Sequence, residues 1–275
     1  MSDLVGRGGF RVVEAGWATT IQDLGRSGLA HLGVPRAGAV DRRGAALLNR
    51  LVGNPADAAM LETLGRLTIE ALEPIVVARG TDASRHTLAT GTRLRIDPPE
   101  GQVWGYLAVR GGIDVPAVLG SRSTDTLAGL GPLPVVDGDT LPIGHDPRSE
   151  LDSELAPRRA PRGVIRLWPG PHATWFEGGT RALTARPWTV TNDVSRVGVR
   201  LERGRFSRTA DARDQMESLG LTEGAVQVTP AGEPIVMMAN HPTTGGYPVI
   251  AVVDPDDLAV VAQSPPGTTL HFTQR

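Results

Sequence analysis

Leu67-Thr68-Ile69-Glu70 and, after a break at Ala71–Pro74, Ile75-Val76-Val77-Ala78 decide how this 275-residue chain reads. Each is a run of four residues, rich in apolar and β-branched side chains, the pattern of a short strand. Outward from that pair the same pattern recurs at Phe10-Arg11-Val12-Val13, Leu94-Arg95-Ile96 and Tyr106-Leu107-Ala108-Val109. It resumes at Val164–Trp168, Thr189-Val190, Val226-Gln227-Val228, Ile235–Met238, Val249–Val253 and Leu270-His271-Phe272. One helix stands out. Asp41 is its N-cap, Ala45, Leu48 and Val52 repeat at helical spacing, and Gly53-Asn54-Pro55 is the stop. A shorter helix is expected after Asp254, with Pro255 in its first turn and an end before Pro265-Pro266. The expected class is mostly β, in two halves, with a few short helices.

Between His145 and Arg162 lie three prolines and a cluster of charges without an aromatic, which reads as a linker. Residues 1–150 and 151–275 are the domains it separates. Glycine and proline together number 56 (34 and 22), too many for a helix bundle. Cysteine is absent, which excludes disulfides and thiol nucleophiles. All 28 basic residues are arginine, so there is no Walker-A lysine, no Schiff-base lysine and no lysine to carry biotin. A formal net charge of −2 argues against a general nucleic-acid binder. No apolar run approaches a membrane span, and Met1-Ser2-Asp3-Leu4 opens no signal peptide, so the expected compartment is the cytoplasm.

The six histidines show no i, i+2 or i, i+4 pair, and no metal site is expected. Three segments carry concentrated polar chemistry. Thr19-Thr20-Ile21-Gln22-Asp23-Leu24-Gly25-Arg26 reads as a loop after a strand that holds a small polar substrate, or as a turn closed by an Asp23–Arg26 pair. Gly120-Ser121-Arg122-Ser123-Thr124 offers hydroxyls, backbone N–H groups and a guanidinium to an anion, or is a self-satisfied turn. Thr243-Thr244-Gly245-Gly246-Tyr247 marks either a close backbone approach or a hairpin.

Gly16–Arg26 followed by Gly33-Val34-Pro35-Arg36-Ala37-Gly38-Ala39-Val40-Asp41 resembles the signature of the allophanate-hydrolase-subunit-2 family. Further matches follow in order at Leu51–Asn54, Tyr106–Gly112, Leu119–Thr124, Arg196–Leu201, Gly224–Val228 and Thr243–Pro248. The resemblance implies two cyclophilin-like β-barrel halves. It also implies work beside a KipI-like (allophanate hydrolase subunit 1) partner and, in 5-oxoprolinases, a LamB/YcsF-like subunit. Those enzymes couple ATP hydrolysis to opening of 5-oxo-L-proline. ATP is then expected on a partner, and the isolated chain is expected to be inactive. The alternatives are a carboxyltransferase subunit served by a separate biotin carrier, and a regulator that sequesters a KipI-like kinase inhibitor. On residue type and motif position, Asp23 and Arg26 are the expected catalytic pair, with Asp23 moving a proton. Arg122, Arg196 and Arg200 join Arg26 as anion clamps, Ser121 and Ser123 line the site, and Gln22, Thr243 and Thr244 orient a lactam. The chain departs from the usual family pattern at Val194-Ser195-Arg196, Ser218-Leu219 and Asn240, where acidic residues are common.

Overall fold

A computed structural model describes residues 9–80, 82–151, 163–210, 212 and 216–275. The chain divides into two compact units, Met1–Ser27 with Ala37–Arg159, and Gly28–Arg36 with Ala160–Arg275. Both are built mostly from short strands, and the described residues include three α-helices.

In the first unit the strands are β1 (Gly9–Glu14), β2 (Ala18–Gln22), β3 (Met60–Leu64), β4 (Leu67–Ala71) and β5 (Ile75–Arg79). They continue with β6 (Ser84–Leu88), β7 (Arg93–Ile96), β8 (Trp104–Val109) and β9 (Thr140–Pro142). They form two antiparallel sheets, ordered β7-β4-β1-β9 and β2-β3-β8-β5-β6. Their apolar faces meet in one core, in which Phe10, Val12, Leu61, Leu67, Ile69, Val77, Leu107 and Val109 are all wholly buried. Helix α1 (Arg42–Leu51) begins where the sequence places it, with Asp41 Oδ1 accepting the Gly44 N–H at 2.8 Å. Its end is fastened to β8 by Asn54, whose Nδ2 donates to the Val109 carbonyl and whose Oδ1 accepts the Gly111 N–H. Two of the matched motifs therefore hold each other.

The second unit contains β10 (Ile165–Pro169), α2 (Thr180–Thr184), β11 (Trp188–Val194), β12 (Gly198–Glu202), β13 (Leu219–Gly220), β14 (Ala225–Val228) and β15 (Pro234–Met237). It ends with β16 (Thr244–Gly245), β17 (Val249–Val253), α3 (Leu258–Ala262), β18 (Thr269–Leu270) and β19 (Phe272–Gln274). Eight strands make one barrel-like sheet, β18-β11-β12-β15-β14-β17-β10-β19, and β13 pairs with β16 apart from it. Trp188 is wholly buried, stacked on Phe206 at 5.2 Å, with Phe176 edge-on to Phe206. The class expected from the sequence, mostly β in two halves with few short helices, is the one observed.

Two expectations differ in detail. Thr19–Gln22 is not loop but most of β2; both its faces are covered, so it shows no polar–apolar alternation. Helix α3 starts at Leu258, with Asp257 as its N-cap, rather than directly after Asp254, because residues 254–257 form a turn closed by Asp257 N–H on the Asp254 carbonyl. The Asp257 carboxylate is occupied by the Arg166 guanidinium at 2.7 and 2.9 Å, not by the helix. Of the expected linker, residues 145–151 run against the first unit, with Arg110 donating to Asp146 and to the Ser149 carbonyl. Residues 152–162 lie outside the described residues.

His172 gives the second unit a pH dependence. Its buried Nδ1 accepts the Val249 N–H at 3.1 Å, and burial pulls its pKa below the ordinary histidine value. The fold holds the neutral ring, whereas the unfolded chain protonates near pH 6.5. Stability contributed by this histidine is therefore present above the unfolded pKa and is lost as pH falls toward the folded one. Thermal denaturation at pH 7.5 and 5.5 is expected to show a lower midpoint at pH 5.5. The drop should be smaller in His172→Gln.

Candidate functional site

The two polar segments singled out in the first half, nearly a hundred residues apart in sequence, form one structure. Strand β2 ends at Gln22, and the chain then turns so that the Asp23 carboxylate faces the 121–123 loop. Its Oδ1 accepts the Gly25 N–H at 2.7 Å, the Ser121 hydroxyl at 2.7 Å and the Ser123 hydroxyl at 2.5 Å. Its Oδ2 accepts the Arg122 N–H at 2.6 Å. Two hydroxyls and one backbone N–H that the 120–124 turn offers to an anion are thus taken by a carboxylate of the same chain. Ser121 and Ser123 are buried, and Ser123 N–H donates to Ser121 Oγ. The Arg122 side chain leaves this knot, donating through Nε to the Val115 carbonyl and lying 3.7 Å from Asp114.

Arg26 is buried beneath the same loop. Its Nη2 donates to the Ser123 carbonyl at 2.6 Å and its Nε to the Val118 carbonyl at 3.3 Å. Burial pulls its pKa below the usual arginine range, and the nearby carboxylates of Asp125 and Asp23 oppose that shift. Gln22, fully buried, donates from Nε2 to Thr20 Oγ1 and to the Thr124 carbonyl.

Glycine is required where this loop crosses itself. At Gly131, φ is +80° and a Cβ would sit 2.1 Å from the Ser123 carbonyl oxygen, whereas at Gly120, φ +79°, a Cβ meets nothing. Gly120→Ala therefore carries only the backbone cost, about 1 kcal/mol, and Gly131→Ala is expected to cost about 3 kcal/mol or more. Denaturant unfolding of the two variants checks the difference.

Sequence reasoning missed a buried support behind this site. Glu62, with no exposed surface, accepts the Tyr106 hydroxyl at 2.7 Å and the Val40 N–H at 2.9 Å. Tyr106 Oη in turn accepts the Asp41 N–H, and burial, then the Glu62 charge, raise its pKa well above the usual tyrosine value. The only signal is a glutamate in an otherwise apolar run, Met60-Leu61-Glu62.

In the second unit, Arg196 and Asn240 are both buried. Arg196 Nη2 donates to Asn240 Oδ1 at 2.9 Å, and Asn240 N–H donates to the Arg196 carbonyl. His241, also buried, lies next to this pair with Nδ1 2.8 Å from the Pro242 carbonyl oxygen, which can only accept, so Nδ1 donates there. Thr243 accepts the Leu221 N–H at its carbonyl, and Thr244 is exposed on β16. Gly245 fits there because a Cβ would meet Leu221 and Gln227 Nε2 at 2.6 and 2.7 Å, so the glycine marks a close approach. Arg200 stands apart from Arg196. It lines an open groove of about 300 Å³ and is held between Asp193 and Glu233, each at 3.1 Å. No group of three or more metal-ligating side chains converges among the described residues.

This arrangement has relatives. The family described as "Carboxyltransferase domain, subdomain A and B" matches residues 32–274. The chain belongs to that carboxyltransferase family. It is 38% identical to the C component of the 5-oxoprolinase of Escherichia coli (strain K12), over 96% of this chain and 91% of that one. Among solved structures, that of TTHA0988 superposes with a TM-score of 0.86 at 33% identity, over 98% of this chain and 56% of that one. The K. lactis urea amidolyase superposes with a TM-score of 0.85 at 26% identity, and there the chain spans only 19% of the longer protein. No described helix of this carboxyltransferase-family chain is long and apolar enough to cross a membrane.

Proposed function

We propose that this chain is the C component of a cytoplasmic, ATP-dependent 5-oxoprolinase, which opens 5-oxo-L-proline to L-glutamate. The observation that carries the reading is the 38% identity to that component of a 5-oxoprolinase along almost the whole of both chains. The partners are a KipI-like and a LamB/YcsF-like subunit. ATP binds with or on those partners, since this chain has no phosphate loop and no lysine. Hydrolysis of the lactam through an activated intermediate needs donors for a developing oxyanion, and arginine supplies them in planar, permanently charged form.

Within this chain the roles divide by geometry. Asp23, with four donors on its carboxylate, positions the 121–123 loop instead of shuttling a proton. Arg122 projects from that loop, half exposed, to meet an anion. Arg196, held by Asn240, is the corresponding donor of the second unit, and Thr243 and Thr244 orient the ligand beside it. Arg200, between two carboxylates, shapes its groove and does not clamp an anion. Isolated, the chain is inactive.

The urea amidolyase likeness supports a second reading, carboxyl transfer from a biotin carrier to a small amide, at lower identity. One experiment separates them. The complex of all three subunits is incubated either with 5-oxoproline and ATP, or with urea and a carboxylated biotin carrier. Glutamate formed in the first mixture alone supports the oxoprolinase. Carboxylation of urea in the second, without glutamate in the first, overturns it.

A further inference from the structure

We infer that Gln22, Arg26 and Thr124 form a buried subsite for a cis-amide edge, the adjacent N–H and C=O of a lactam or cyclic urea. The inference deepens the oxoprolinase reading and takes from it only the choice of ligand to try.

The orientation of the Gln22 amide is fixed, because the Thr124 carbonyl it touches can only accept, which makes that atom Nε2. Gln22 Oε1 is then left buried without a partner. Arg26 commits Nε and Nη2 to the Val118 and Ser123 carbonyls, and its buried Nη1 has no partner. The Thr124 hydroxyl, also buried, has none. The three residues are 0, 2 and 2% exposed.

The three residues are fastened to one stretch of backbone. Gln22 is bonded to the carbonyl of Thr124, Arg26 to the carbonyl of the residue before it, and Thr124 N–H donates to the Ile21 carbonyl. A buried polar group without a partner is destabilising, and native proteins hold few of them. Three around one stretch of backbone mark a position that another molecule completes.

The donor–acceptor pattern selects that molecule. Gln22 Oε1 only accepts, Arg26 Nη1 only donates, and the Thr124 hydroxyl does either. A carboxylate would turn lone pairs toward Gln22 Oε1, and an ammonium would face the Arg26 cation. A cis-amide places its N–H toward Gln22 and its C=O toward Arg26 from neighbouring atoms. Water also meets the pattern, so the test must tell the two apart.

Proton–nitrogen correlation spectra of the full chain are recorded during titration with 2-pyrrolidone, 2-imidazolidinone and N-methyl-2-pyrrolidone. The first two are expected to shift the Gln22 side-chain NH₂ and the Thr124 amide saturably. N-methyl-2-pyrrolidone, which keeps the carbonyl and lacks the N–H, is expected not to. A response to pyrrolidone alone names a lactam as the source, and one to imidazolidinone alone names a ureide. Thr124→Val is isosteric and loses no side-chain hydrogen bond made within the chain, so it should fold and bind about 10-fold more weakly. If Gln22→Leu fails to fold, Thr124→Val still decides. No saturable shift from either amide would mean that the three atoms hold water only and would overturn the subsite. An equal response to N-methyl-2-pyrrolidone, or unchanged binding in Thr124→Val, would overturn it too. Glutamate formation by the assembled wild-type complex is measured apart from these titrations, so the subsite can fail while the oxoprolinase reading stands, and the reverse.

Discussion

Asp23→Ala is expected to lower the unfolding free energy by about 3 kcal/mol, the largest stability effect of any single polar substitution in the first unit. The carboxylate receives two backbone N–H groups and two hydroxyls. A hydrogen bond to a charged group is worth about 1.5–3 kcal/mol, but four on one half-buried carboxylate do not add in full, because water reaches part of the site. The loss also frees the 121–123 loop, and with it the carbonyl of Ser123 that holds Arg26. Asp23→Asn keeps an acceptor for the Oδ1 donors but turns an NH₂ toward the Arg122 N–H, so about half the loss is expected. Denaturant unfolding measures both. A change under about 0.5 kcal/mol in the alanine variant would show that the loop holds its form without Asp23.

The largest expected effect on activity belongs to Arg196→Ala in the assembled enzyme, a fall in kcat of about 100-fold or more. Its backbone carbonyl, which accepts the Asn240 N–H, survives the substitution, while the side-chain bond to Asn240 Oδ1 is lost. The melting temperature should therefore fall by a few degrees, because Asn240 Oδ1 loses a buried donor, while turnover collapses far beyond what that loss of stability explains. Arg196→Lys keeps the charge but not the planar fork, and should recover only a part of the rate. Steady-state kinetics beside a thermal melt reads both. Normal kcat in Arg196→Ala would remove Arg196 from the reaction.

Much of this architecture is visible in the sequence wherever the cause is local. Helix α1 is legible because its cap and its stop are adjacent in the chain, at Asp41 and Gly53. Strands β4 and β5, one in each sheet, are legible because their apolar runs are separated by a proline. Strand β2 is not, since Thr19, Thr20, Ile21 and Gln22 are all buried and leave no alternating pattern. The candidate site is visible in the sequence only as two separate segments. That Asp23 closes on Ser121, Arg122 and Ser123 is a long-range pairing, and nothing in the spacing of either segment encodes it. The same holds for Arg200. Its residue type suggests an anion clamp, but β12 pairs with β11 and carries it beside Asp193, while Glu233 approaches from the end of β15. Glu62 is illegible for the opposite reason, because a lone acid in a strand usually faces water, and its partners come from β8 and the chain before α1.

The most direct measurement is ATP-dependent glutamate formation from 5-oxo-L-proline by the KipI-like and LamB/YcsF-like subunits, with and without this chain. The account predicts turnover only when all three chains are present, and none from this chain alone. Full turnover by the two partners in its absence would contradict its place in the enzyme.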